Sequence, residues 1–289
     1  MVVGVDTYSY HRLLGERRRG ESARPPLPGG MAAVAEHVRG LGCDVICLQT
    51  CFLAGPPAAT PGGIAEMVAP LTPVIAWGHP EGLGLGTAPP RAFEDLRHWI
   101  DCAAELTGGL LRVVAGGPRL RGARPFAEQL KATAPLLRAA ADQAAGHGLV
   151  VAVENHGDLT SEQLATLVEA AGAENLGVCF DTANALRVGE DVVAAARTLA
   201  HLVRMVHVKD IEPVERAENP VAGPASVPFG SGVVPLARVL DAVAGQVDAG
   251  APVCVEVGQV RPGDDELELI ADGVAWLRRF ASTPPPSRS

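Results

Sequence analysis

Eight short apolar runs recur along the chain, each followed by a stretch with helical spacing, and this rhythm narrows the fold more than any other feature. The runs are 2–5 (VVGV), 44–48 (DVICL), 73–77 (PVIAW), 110–115 (LLRVVA), 149–153 (LVVAV), 176–180 (LGVCF), 203–208 (VRMVHV) and 252–257 (PVCVEV). The helical segments are 31–40, 61–70, 89–107, 125–146, 160–172, 183–200, 235–247 and 264–280. Strands buried on both faces read as continuous apolar runs, and their alternation with helices implies parallel strands joined by crossovers. Eight such units in 289 residues predict one α/β domain, a single (β/α)8 TIM barrel, which typically needs about 250 residues. Residues 1–280 are assigned to the barrel and 281–289 (ASTPPPSRS) to a disordered C-terminal tail. Thr160 followed by Gln163 reads as a capping box, Pro125 and Pro235 suit first-turn positions, and Pro135 predicts a kink or break in the helix over 125–146.

Composition removes several function classes. No apolar run approaches the ~18 residues of a membrane span, and Met1 leads into a strand-like VVGVD, so a cytoplasmic protein without membrane contact is expected. A net charge of −9 without a basic stripe argues against nucleic acid as a partner. Cys43, Cys47 and Cys51 recur every four residues. On a strand such positions lie about 13 Å apart, too far to share an ion. All six cysteines therefore read as reduced core thiols.

The chemistry-bearing signal is a set of polar residues at the ends of apolar strands: Glu154 in VVAVE, Asp181 in GVCFD, His207 in MVHV and Glu256 in VCVEV. Strand alternation stacks each above small or apolar residues and aims all four into the mouth of the barrel. That is also the side of the longer irregular segments 8–30, 78–88, 116–124 and 209–232. Barrel enzymes build their sites on this face. Three converging carboxylates repel one another unless a cation holds them. Three oxygen donors and one imidazole suit one divalent ion, Mn2+ before Mg2+ or Co2+, better than a structural zinc.

With these residues in place the chain resembles the sugar phosphate isomerase/epimerase group with the xylose isomerase-like barrel. That group includes keto-sugar epimerases, hydroxypyruvate isomerases, inosose dehydratases and, more distantly, metal-dependent apurinic endonucleases. The matching stretches are VVAVENHGDLT (150–160), GVCFDTANAL (177–186), MVHVKDIEP (205–213), PFGSGVVPLARVL (228–240) and VCVEVG (253–258). The resemblance implies metal ligation by Glu154, Asp181, His207 and Glu256, with both glutamates moving the proton on opposite faces of the substrate. It departs from the endonucleases, which keep a His where Asn184 stands and an Asp-x-His near Pro224-Ala225-Ser226. Asn184 also replaces a substrate-binding His of some ketohexose epimerases.

The expected activity is divalent-metal-dependent isomerisation or epimerisation of a keto-sugar or sugar-like substrate through a metal-stabilised enediolate. A metal-dependent lyase sharing that intermediate is the first alternative. It would dehydrate, decarboxylate or cleave a C-glycoside, with His11 and His79 as extra acids. A non-catalytic sugar-binding subunit is the second. Candidate substrate-binding residues are His11, His79, Asn155, His156, Asn184, Lys209 and Arg119. The loop arginines Arg17, Arg18, Arg19, Arg121 and Arg124 offer an anion clamp. Backbone N–H groups around Gly230 and Gly232 could cradle an anion. Pairing of the barrel with itself, as a homo-oligomer, or with a partner subunit is left open.

Overall fold

The computed structural model describes residues 1–18, 20–53, 60–80, 82–86, 90–117, 122, 124–213, 224–248 and 250–283. Eight parallel strands close into a barrel in sequence order, β1 pairing with both β2 and β8. They are β1 Val2–Asp6, β2 Val45–Gln49, β3 Thr72–Trp77, β4 Leu110–Val113, β5 Val150–Glu154, β6 Leu176–Asp181, β7 Val203–Val208 and β8 Pro252–Val255. The helices are α1 Gly30–Gly40, α2 Pro61–Val68, α3 Pro90–Ala104, α4 Phe126–Ala145, α5 Ser161–Ala171, α6 Val192–Leu199, α7 Leu236–Ala244 and α8 Glu266–Ser282. Every expected strand and helix is therefore present. Among the described residues no helix is long and apolar enough to cross a membrane.

Local chemistry explains the boundaries and the places where the expectation needs correcting. Thr160 accepts from the Gln163 N–H while the Gln163 side chain accepts from the Thr160 N–H, so the capping box fixes the start of α5. Of the kink or break expected at Pro135, the break does not occur: α4 runs on from Phe126 to Ala145. Pro135 lies on the exposed face, so water can take the carbonyl bond its ring forfeits while Thr133, Leu137 and Ala140 stay buried. The helix expected over 183–200 begins only at Val192. Asp181 first accepts the N–H groups of Ala183 and Asn184, a 3-10 turn over Asn184–Val188 follows, and left-handed Gly189 ends it before Asp191 caps α6. Helix α8 reaches Ser282, two residues into the expected tail, and residues 284–289 lie outside the described ones.

Two apolar clusters result. The larger fills the space between barrel and helices, and the smaller lies inside the barrel: Val45, Cys47, Val74, Ala76, Leu110, Ala152, Cys179, Met205 and Cys254. A buried ion pair, Arg12 Nη2 to Glu266 Oε2 at 2.5 Å, ties the turn after β1 to α8 and closes the seam between the first and last units. Five of the six cysteines are buried thiols. Cys51, in the short turn after β2, is exposed, which corrects its assignment to the core.

Candidate metal centre

The inner cluster and the site differ by one step of strand alternation. Two residues beyond Ala152, Cys179, Met205 and Cys254 stand Glu154, Asp181, His207 and Glu256. One ligand atom from each of these four lies within 4.8 Å of the others, and all four side chains are buried. His207 Nδ1 is 2.9 Å from Glu256 Oε2 and 3.8 Å from Glu154 Oε2. Two buried carboxylate oxygens, Glu154 Oε2 and Asp181 Oδ2, lack a hydrogen bond of acceptable geometry although cationic nitrogens stand nearby. Three oxygen donors, one imidazole and buried lone pairs aimed inward fit a divalent cation.

The surrounding cations and amides hold the donors in place. Arg112 is 4% exposed on β4 and brings Nε to 2.8 Å from Glu154 Oε2, while its Nη1 donates to the Trp77 carbonyl. Asn184 donates to Glu154 Oε1 at 3.2 Å. Lys209 Nζ bridges Asp181 Oδ2 at 3.0 Å and Glu256 Oε1 at 2.8 Å. Behind His207, Nε2 faces Asp6 Oδ2 at 3.6 Å and Cys47 Sγ at 3.8 Å, and Gln49 Nε2 donates to the Asp6 carboxylate at 3.1 Å. Burial pushes the Glu154 and Asp181 carboxyls above their ordinary range, against the opposing pull of Arg112 and Lys209 respectively. At Glu256 burial is overcome by Lys209 and His207, which hold its carboxyl well below that range.

Of the expected substrate-binding residues, some stand at the mouth and others are tied up. His156 is half-buried, its Nδ1 3.3 Å from the Gly116 carbonyl. Burial holds its imidazole at about 4, against Asp158, with Arg112, Arg187 and Lys209 adding to the downward push. Asn155 serves as a clip between β5 and β6: its Oδ1 accepts the Asp181 N–H at 2.6 Å and its Nδ2 donates to the Asp181 carbonyl at 3.0 Å. Lys209 and Asn184 contact the tetrad directly. His79 is half-buried and stacks against Trp77 at 6.2 Å.

His11 is placed away from the expected role. It is 0% exposed, with Nδ1 2.9 Å from the Tyr8 carbonyl and Nε2 2.9 Å from Glu21, so both ring nitrogens are committed within the loop after β1. Arg119, Arg121 and Arg19 fall outside the described residues. Arg17 is exposed and Arg124 lies 3.9 Å from Glu128 on the surface. The glycine turn is not an open anion cradle, because the chain fills it. Asp210 accepts the N–H groups of Gly230 and Gly232 at 2.8 and 2.9 Å, and those of Ile211 and Val234 at 3.0 and 3.3 Å. A Cβ on Gly232 would stand 2.0 Å from Asp210 Oδ1, so the close approach requires glycine.

Asp6, Gln49, Arg112 and Arg187 join the mouth without having been expected. The first three end or interrupt apolar strands in the inward register, which is the same signal that exposed Glu154.

The family model of the xylose isomerase-like TIM barrel matches residues 66–280. The chain belongs to that family. Its likeness to individual proteins is more distant. It is 38% identical to the uncharacterized protein YihM of Escherichia coli over 63 residues, a stretch that spans 22% of this chain and only 19% of that protein. The structure of an L-ribulose 3-epimerase superposes with a TM-score of 0.71, covering 99% of both chains at 18% identity. The probable 3-DHS dehydratase AsbF of Bacillus anthracis superposes with a TM-score of 0.68, covering 96% of this chain and 99% of that one at 14% identity. At such identities the likeness establishes the shared barrel.

Proposed function

We infer that the protein is a divalent-metal-dependent isomerase or epimerase of a keto-sugar or sugar-like substrate. The observation that carries this reading is the buried tetrad, with its donor atoms within 4.8 Å and two carboxylate oxygens left without a well-formed hydrogen bond. Glu154, Asp181, His207 and Glu256 would hold the cation. When bound, a divalent ion supplies a Lewis acid that favours negative charge on neighbouring substrate oxygens.

The chain's own residues supply the proton chemistry. Glu256, held ionised between Lys209 and His207, takes the proton from the substrate carbon beside the carbonyl. Glu154, lifted by burial and oriented by Arg112 and Asn184, returns a proton to the opposite face or to the neighbouring carbon. The first outcome is epimerisation and the second isomerisation. Superposition on a sugar epimerase supports this class, and superposition on a dehydratase keeps the lyase reading as a second possibility. The lyase reading loses one of its expected acids, since both nitrogens of His11 are engaged.

Glu154→Gln and Glu256→Gln are each expected to abolish exchange of the substrate's carbon-bound proton with deuterated solvent in Mn2+-loaded protein. Unimpaired exchange in both variants would sink the scheme. Mass-conserving product separates isomerisation and epimerisation from loss of water or carbon dioxide.

A further inference from the structure

We propose that Asp6 is the positioning residue of the metal centre: its carboxylate accepts the Nε2–H of His207 and so presents Nδ1 of that ring to the cation, while Gln49 keeps the carboxylate in place. The inference rests on reading the tetrad as a metal site and adds the residue that decides which ring nitrogen binds.

An imidazole can ligate a cation through either nitrogen, and what the other nitrogen faces selects between them. The buried ring of His207 faces different surroundings on its two sides. Nδ1 points into the tetrad, 2.9 Å from Glu256 Oε2 and 3.8 Å from Glu154 Oε2. Nε2 points away from it, 3.6 Å from Asp6 Oδ2 and 3.8 Å from Cys47 Sγ. A neutral ring that gives its Nδ1 lone pair to a cation carries its proton on Nε2, and that proton needs an acceptor. Asp6 stands within ion-pair range of it, on the strand neighbour of Cys47.

The Asp6 carboxylate is built for this place. It ends β1, is fully buried, and is held by neutral donors. The Tyr8 N–H donates to Oδ1 at 2.7 Å, and Gln49 Nε2 donates to both oxygens at 3.1 Å. Gln49 is anchored in turn, its backbone N–H donating to Thr7 Oγ1 at 2.9 Å across the ends of β1 and β2. Among the described residues, His207 is the only basic side chain that pairs with Asp6 within 4.0 Å. Arg112, committed to Glu154 at 2.8 Å, acts on it from farther away. A buried carboxylate is costly without a charged or hydrogen-bonding partner. The partner nearest to this one is a proposed metal ligand.

Asp6, Cys47 and His207 also bring three donor atoms within 4.8 Å of one another, a set that matches a second cation site in donor count. The Gln49 amide argues against an ion there. Its N–H group is turned toward both carboxylate oxygens and occupies lone pairs a cation would need. The pocket behind His207 suits a proton.

The test uses the full-length protein with Mn2+ affinity by chelator competition, and with 113Cd2+ and 15N-histidine labelling to identify the bound nitrogen by NMR. Wild type is expected to couple 113Cd to His207 Nδ1 and to keep hydrogen on Nε2. Asp6→Asn retains an oxygen for the Tyr8 N–H but loses the charge, and should weaken Mn2+ binding about tenfold or more. Gln49→Met, which frees the carboxylate, should weaken it about threefold. Should Asp6→Asn fail to unfold cooperatively in urea, the wild-type coupling and Gln49→Met decide. Coupling through Nε2 in wild type overturns the proposal, as does a folded Asp6→Asn with Mn2+ affinity within about twofold of wild type; both leave the reaction class intact. A second bound ion per chain that disappears in Asp6→Asn also overturns it, in favour of a second cation site. Coupling through Nδ1 and the expected affinity losses, without proton exchange on any keto-sugar, would keep the positioning role and break the reaction class. Wild type that binds neither Mn2+ nor Cd2+ overturns both.

Discussion

Two levels of the same barrel, one residue pair apart along each strand, follow opposite rules. The lower interior holds Cys47, Ala152, Cys179, Met205 and Cys254, small or soft side chains that pack on one another, with Cys47 Sγ reaching up to His207 Nε2 at 3.8 Å. The level above holds Gln49, Glu154, Asp181, His207 and Glu256, with Arg112 pairing to Glu154. Both levels are buried, and both are set by the same period-two alternation. The lower level gains free energy from excluding water. The upper one retains buried charge that is costly to hold without excellent pairing. The far end of the barrel shows the contrast again: among the described residues, the opening lined by Val2, Val45, Val74 and Leu110 has Arg204 and Asp248 as its charged lining, and no convergent donor set forms there. Depth within the barrel therefore does not decide where chemistry sits. The register at the strands' C-terminal ends does.

That contrast can be broken most directly by removing one partner of a buried pair. Arg112→Met strands the Glu154 carboxylate and should destabilise metal-free protein by about 3–5 kcal/mol in urea unfolding. Pairing it with Glu154→Leu should recover much of the loss, and a double variant as unstable as the single would refute the pairing argument. Next in size, Met205→Ala at the lower level should cost about 3 kcal/mol, yet leave Mn2+ affinity within about threefold. Metal affinity falling in step with stability would mean the two levels are one cooperative unit. Asp181→Asn should do the reverse. Mn2+ binding should weaken at least tenfold, while metal-free stability should fall by less than in Arg112→Met, because the amide oxygen can still accept from Ala183 and Asn184 and Lys209 keeps its Glu256 partner.

The smallest effect concerns pH. His156 has its folded value at about 4, below the ordinary 6.5, so the unfolded chain takes up the proton first. Stability should fall as pH drops from about 6.5 to about 4, and His156→Gln should flatten that part of the profile. An unchanged slope in the variant would assign the acid sensitivity elsewhere.

The upper level was legible wherever charge ended an apolar run. Glu154, Asp181, His207 and Glu256 stand out because a double-sided buried strand has no structural use for them. Arg112 carried the same signal inside LLRVV and was overlooked, as was Asp6 ending VVGVD. Arg187 was hidden differently, since the segment 183–200 reads as one helix and the turn that frees its side chain depends on Asp181 capping two backbone N–H groups. Long-range partners were out of reach altogether. Nothing in YSYHRLLG says that Glu21 will fold back onto His11. Likewise nothing in PFGSG says that a carboxylate about twenty residues earlier will take its N–H groups.

The Asp210 carboxylate has a consequence for how the loop after β7 meets its surroundings. An anion attached to the same chain acts at an effective concentration of about millimolar or more, so dissolved phosphate or sulfate must outcompete a ligand that never diffuses away. The loop thereby has the backbone form of an anion receptor and the behaviour of a saturated one, its shape independent of the salt around it. Shortening Asp210 to glycine would release that vacancy to the solvent, turning a permanent internal clasp into one that closes only when an ion is supplied.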